Sequence, residues 1–165
     1  EEIAKAGLYC SIITIDAPGG KLEATNLSFK TGGVLEKAVV QVGFHTDDGI
    51  TDSRLFLRSA ALNVREGMSR QKALEGLTIV GAKMLDLSSR IGSLEKGKDA
   101  DFVLLSGDPF SVYTKVEQTW VEGKKRFDIS NPEDRAYLTG GYGVYSADRG
   151  EFHHHGDEED DNTKQ

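Results

Sequence analysis

The chain has 165 residues, 38% of them hydrophobic and 28% charged, which suits one globular domain or one and a fraction and leaves no apolar run long enough to cross a membrane. A net charge of −7 argues against a nucleic-acid partner, which would call for a basic face, although five of the acids crowd into Asp157-Glu158-Glu159-Asp160-Asp161 near the end. A single cysteine, Cys10, excludes an intrachain disulfide, so a packed core must hold the fold.

Residues 1–7 read as the end of a helix, with Gly7 as its C-terminal stop. Residues 8–15 (Leu-Tyr-Cys-Ser-Ile-Ile-Thr-Ile) form a compact β-branched run, the pattern of a strand covered on both faces in a parallel sheet, and Cys10 within it reads as a small buried residue. Ala17-Pro18-Gly19-Gly20 breaks the run and opens a loop to about Gly33. A short helix over 34–39 then leads into a strand over 41–45. Helix follows strand again over 53–66, stopped by Gly67. Ser69 is placed to cap a helix over 70–77, and Thr78 to cap another reaching about Leu87. Strand, helix, strand, helices is a βα order, which implies parallel strands joined by crossovers.

From Arg90 the pattern changes. The stretch Ile91-Gly92-Ser93-Leu94-Glu95-Lys96-Gly97-Lys98-Asp99-Ala100-Asp101 is rich in turns, residues 102–105 form a short apolar strand, and Gly107-Asp108-Pro109 turns again. Runs over 116–121 and 124–127 flank Glu122-Gly123, a two-residue link of the hairpin kind. This predicts a small antiparallel β unit. Three segments follow: 1–88, the βα part; 89–128, the β unit; and 129–165, an extended, largely disordered Gly-rich and acidic tail. The chain opens on Glu1-Glu2 without methionine, so its native start is expected upstream, and cytoplasm and periplasm both stay open as locations.

The densest chemistry lies in Val42-Gly43-Phe44-His45-Thr46-Asp47-Asp48-Gly49 followed by Thr51-Asp52-Ser53-Arg54. An apolar strand delivers an acid to its own C-terminal tip beside a helix start, which is how α/β barrels build reactive sites. A cap for the following loop or helix is the plainer role for Asp47. Of the four histidines, three sit in the tail as His153-His154-His155, so any chemistry at Asp47 needs partners from elsewhere.

Several motifs occur in order: Gly43-Phe44-His45-Thr46-Asp47; Ala73-Leu74-Glu75-Gly76-Leu77-Thr78; Arg90 through Asp101; Gly107-Asp108-Pro109; and Trp120-Val121-Glu122-Gly123. Together, over about residues 1–127, they resemble the C-terminal part of the amidohydrolase superfamily, in its imidazolonepropionase-like or prolidase-like branch. The resemblance implies a metal-bearing (β/α)8 TIM barrel plus a small composite β-sandwich. Residues 8–15 would be the seventh barrel strand, 41–45 the eighth, and 92–127 part of the sandwich. It further implies one or two divalent ions, zinc being the expected one, with Asp47 as metal ligand and general acid/base. A small-molecule substrate would be hydrolysed at a C–N bond, and the completed enzyme would form a homo-oligomer. The family's first-strand His-x-His, its mid-barrel lysine or carboxylate and its fifth- and sixth-strand histidines have no counterpart here. His153 and His155 lie after the sandwich and cannot stand in for them. A barrel of this kind takes about 200 residues or more, so the N-terminal part of the same enzyme is the expected partner.

On that template the substrate-side candidates are His45, two residues before Asp47 and able to share its face; Asp48, a loop or substrate-side group; Ser53; and Arg54, which can bind a carboxylate or simply be solvated. Lys98, Asp99 and Asp101 are charged and clustered, but their place in the β unit gives them a structural reading. The His-rich acidic end reads as a solvated tail. The rival to a hydrolase is a non-catalytic interaction module that kept only the fold fragment.

Overall fold

The computed structural model describes residues 1–14, 22, 25–47 and 50–139. Helix α1 (Glu2–Lys5) stops at Gly7, whose φ of +66° is the left-handed conformation that glycine adopts without a steric penalty. Strand β1 (Cys10–Ile13) pairs in parallel with β2 (Val42–His45), in the register Cys10 with Val42 through Ile13 with His45. The first strand is shorter than the β-branched run suggested. Among the described residues, four find a partner on β2, and Leu8 ahead of them is 61% exposed. Nor are both faces covered: Ile12 is buried while its neighbours Ser11 and Ile13 are not, and Cys10 is half-buried. Ile15 lies outside the described residues.

Cys10, Ile12, Val42 and Phe44 point into a layer of helices, where they meet Ala60, Met68 and Ala73. That layer comprises α2 (Thr31–Lys37), α3 (Phe56–Arg65) and α4 (Arg70–Gly76), with α5 (Ile79–Met84) following. Helix α2 begins three residues earlier than the apolar pattern indicates, because the Gly32 N–H is held by a side chain. Asn63 of α3 is fully buried and accepts that bond at 3.0 Å, while its amide donates to Thr14 Oγ1 at 2.8 Å and to the Ser59 carbonyl at 3.0 Å. A Cβ on Gly32 would lie 2.7 Å from Asn63 Oδ1 and 2.8 Å from Met68 Sδ, so only glycine lets α2 come this close. One amide thus joins the end of β1, the start of α2 and the body of α3. A net hydrogen bond is worth about 1 kcal/mol, and a buried donor left without one costs about 1–3 kcal/mol.

The caps divide between expected and unexpected. Ser69 accepts from Lys72 N–H at 3.3 Å at the start of α4, as its position suggests, and Gly67 ends α3 at φ +106°. Thr78 does not cap α5. Its hydroxyl donates backwards to the Leu74 carbonyl at 2.8 Å, closing the end of α4, and α5 runs only to Met84. The segment after β2 starts as a 3-10 turn (Ser53–Leu55) capped by Asp52 before α3 proper.

The second sheet is antiparallel, in the order β3 (Phe102–Leu105), β4 (Val116–Val121), β5 (Lys124–Asp128). Phe102 and Trp120 pair across it with rings stacked 5.6 Å apart. Glu122 and Gly123 both adopt positive φ, 50° and 70°, the conformation a two-residue type I′ hairpin requires. The turn-rich stretch before β3 holds that hairpin in place. Asp101 Oδ1 accepts from Glu122 N–H at 2.7 Å, and Arg90 Nε donates to Asp99 Oδ2 at 2.6 Å. Lys98 donates to Ser93 and Glu95. All three side chains are thus engaged within this stretch and its hairpin. Phe110 reaches the helical core, and Arg70 of α4 lies over its ring while bonding both Asp108 oxygens at 2.8 Å.

Residues 129–139, expected to be extended, instead carry helix α6 (Pro132–Thr139). Asn131 Oδ1 accepts from Glu133 N–H at 3.0 Å and Asp134 accepts from Asp128 N–H at 2.8 Å, so the first turn is capped and tied to β5. Residues 140–165, including the His-rich acidic segment, lie outside the described residues. No helix among the described residues is long and apolar enough to cross a membrane.

Candidate active site

The C-terminal end of β2 opens on a shallow cavity of about 380 Å³, lined by Phe44, His45, Thr46, Asp47, Ser53 and Phe56. Alternation along the strand sends Phe44 into the helical core and His45 to the opposite, open face. Asp47 follows at φ 52°, a left-handed conformation that a short polar side chain tolerates far better than a branched one. Two backbone hydrogen bonds span the turn, Ile50 N–H to the Asp47 carbonyl and Thr51 N–H to the Thr46 carbonyl, both 3.1 Å, and Thr51 is buried. Asp47 is therefore held on a closed turn with its exposed carboxylate at the cavity.

His45 is steadied from the neighbouring strand: Ser11 Oγ lies 2.8 Å from its Nδ1, and the residue is exposed. Ser53 joins the cavity from the start of the 3-10 turn. Arg54 is engaged otherwise. Its Nε meets both Asp52 oxygens at 3.0 and 2.9 Å, one terminal nitrogen reaches Asp52 Oδ2 at 2.5 Å, and the other donates to the Tyr137 carbonyl at 3.3 Å. The structure thus brings His45, Asp47 and Ser53 to one cavity and turns Arg54 to α6. Asp48 lies outside the described residues. Sequence reasoning missed Ser11, a polar residue in an apolar run whose signal was its position on the adjacent strand, and missed Tyr137, whose contribution is a backbone carbonyl that no side chain announces.

Among the described residues, no group of three or more His, Cys, Asp or Glu side chains is placed to hold a metal ion. Asp47 fits the part of a single ligand, an exposed carboxylate facing an open cavity, and no more than that.

Parallel strands backed by helices, with an acid at the strand tip facing a cavity, are the architecture of an α/β protein. Residues 23–127 match the Amidohydrolase family. Over 95 residues the chain is 30% identical to amidohydrolase tasK of Hapsidospora irregularis, covering 55% of this chain and 10% of that protein. It is 44% identical over 57 residues to an imidazolonepropionase of Syntrophobacter fumaroxidans, covering 34% and 13%. The crystal structure of an amidohydrolase from Thermotoga maritima superposes with a TM-score of 0.73 at 31% identity, covering 77% of this chain and 33% of that one. The chain belongs to the amidohydrolase family. It spans about a third of the length of that solved relative and roughly a tenth of the two curated ones.

Proposed function

We propose that this chain is the C-terminal part of a metal-dependent hydrolase of C–N bonds, and that Asp47 moves the proton in its reaction. The observation that carries the proposal is the placement of Asp47, an exposed acid on a closed turn at the tip of a core strand, inside the segment that matches the family. In this reading β1 and β2 are the last two strands of a (β/α)8 barrel, and β3 to β5 belong to a composite sandwich. The missing metal ligands come from the N-terminal part of the same enzyme. The substrate class is a cyclic amide, an amidino compound or an aminoacyl or dipeptide-type compound, in keeping with relatives named as imidazolonepropionases and amidohydrolases.

A divalent ion, zinc in the first instance, would be held in part by Asp47 and would supply Lewis acidity that brings the pKa of a bound water towards about 7. The Asp47 carboxylate takes a proton from the attacking water as the new C–O bond forms. It returns that proton to the nitrogen as the C–N bond breaks, so that the amine leaves neutral and the carboxylate is regenerated. His45, kept in one orientation by Ser11, and Ser53 present polar groups to the substrate across the same cavity.

Replacing Asp47 with Asn keeps the size and the turn but removes the proton acceptor and weakens the metal bond. Turnover of the complete enzyme should fall by at least about a hundred- to ten-thousand-fold, the usual worth of general acid–base catalysis, with metal content lowered in parallel. Wild-type turnover in Asp47→Asn with metal retained would overturn the mechanism proposed for Asp47, whereas a complete enzyme that binds no metal and turns over nothing would favour the non-catalytic reading.

A further inference from the structure

We infer that Arg54 is a positioning residue: it clamps the C-terminal helix α6 onto the lip of the Asp47 cavity, and through that clamp α6 sets how the cavity receives substrate. The consequence for catalysis rests on the hydrolase reading above; the clamp itself does not.

Asp52 and Arg54, two residues apart, bond each other. The Asp52 carboxylate accepts Arg54 N–H at 2.9 Å as the cap of the 3-10 turn and is gripped a second time by the guanidinium of the same residue. About a third of each side chain is exposed, so solvent screens the pair only in part. The remaining guanidinium nitrogen reaches the Tyr137 carbonyl, in the last turn of α6. The C-terminal end of a helix carries the negative end of its dipole, so a cation donating there is favourably placed.

The other end of α6 is anchored by Asp134 to the backbone of β5. Helix α6 therefore runs as a strut from the small β unit to the first turn after the site. Ser53, which lines the cavity, lies between the two clamp residues, and Thr51 just before them closes the turn that carries Asp47. Freeing the strut frees the Ser53 side of the cavity. The planar fork of arginine serves a carboxylate and a carbonyl at once, which the compact ammonium of lysine does not. A guanidinium committed in this way is not available to a substrate carboxylate without breaking its contacts to Asp52.

The test uses the complete enzyme with four variants: Arg54→Ala, Arg54→Lys, a chain ending at Ser130, and the double variant of Arg54→Ala in the shortened chain. A chain ending at Thr139 serves as the control for the tail. Hydrogen exchange over residues 50–57 should speed up in Arg54→Ala and in the chain lacking α6, and no further in the double variant. It should be partly restored in Arg54→Lys. With substrate, kcat/KM should fall between about tenfold and a hundredfold, the scale of a misplaced site wall, mostly through KM and again without additivity. Because exchange is read without turnover, an enzyme that hydrolyses nothing would defeat the proposed function and leave the clamp decided by exchange. If removing α6 changes neither exchange nor KM while Arg54→Ala raises KM only for carboxylate-bearing substrates, Arg54 binds substrate and the clamp is overturned.

Discussion

At Val39 the backbone takes φ 63°, a conformation that a β-branched side chain enters only under compulsion. The compulsion is the end of α2: Val39 N–H bonds the Glu36 carbonyl at 2.8 Å and Val40 N–H the Leu35 carbonyl at 3.0 Å, the paired bonds of a Schellman closure that needs a left-handed residue between them. The side chain gains little in return, since Val39 is 86% exposed. A left-handed L-residue costs about 1–2 kcal/mol, and glycine gives back about 0.5–1 kcal/mol in unfolded-chain entropy. Val39→Gly should therefore stabilise the protein, by somewhere near 0.5–1 kcal/mol, visible as a higher urea midpoint at unchanged slope; a lower midpoint would show that the valine does work not visible in its contacts. The same comparison explains what the sequence disclosed at this scale. Gly7 and Gly67 announce their helix ends because glycine is the residue a left-handed stop asks for. Val39 hides its own, being the residue least suited to the place. The place of Asp47 at the tip of β2 was legible from the apolar run leading into it, whereas Arg54 showed its charge but not its partners.

Among the elements, α4 is pressed hardest against the strand that carries the site. A Cβ on Gly76 would stand 2.6 Å from the Val42 carbonyl and 2.9 Å from the Phe44 ring, against backbone that cannot swing aside. In an open helix, glycine to alanine gains up to about 1 kcal/mol; here overpacking of about 1–3 kcal/mol opposes it, so Gly76→Ala should destabilise and shift β2 with Asp47 at its end. Gly81 in α5 is the contrast, with nothing within 4 Å of its Cβ position, and Gly81→Ala should raise the melting temperature. Equal effects of the two substitutions would mean that the close packing of α4 on β2 is relaxed in solution. The hairpin and Ser69 were readable because their residues act locally, at the position where they stand. Helix α6 was not, although Asn131-Pro132-Glu133-Asp134 is a well-formed helix start, with an Asx cap, proline in the first turn and acids at the positive end of the dipole. Its thin apolar content masked that signal, and its far end is tied by a residue 83 positions away in sequence.

For the molecule as a whole, the decisive fact is how little of it is inside. The two-stranded parallel sheet leaves the outer edges of β1 and β2 unpaired among the described residues, and Leu8, Val34, Leu94, Val112 and Tyr113 are each more than 60% exposed. Open strand edges beside apolar surface template pairing with other chains. The net charge of −7 opposes this only in part, since five of the acids are gathered in residues 157–161. We predict that the isolated 18.0 kDa chain self-associates at micromolar concentration. On the function proposed above, a polypeptide carrying six preceding βα units should replace that association with a defined one-to-one complex. The pairing should be recognised by protection of the Cys10–Ile13 and Val42–His45 amides on their outer sides, and by metal binding that neither piece shows alone. Light scattering and exchange on the separate and mixed chains give the answer. A well-behaved monomer, unfolding cooperatively and unchanged by the added piece, would mean that the small core around Asn63 and Phe44 suffices, and that the chain stands as a module in its own right.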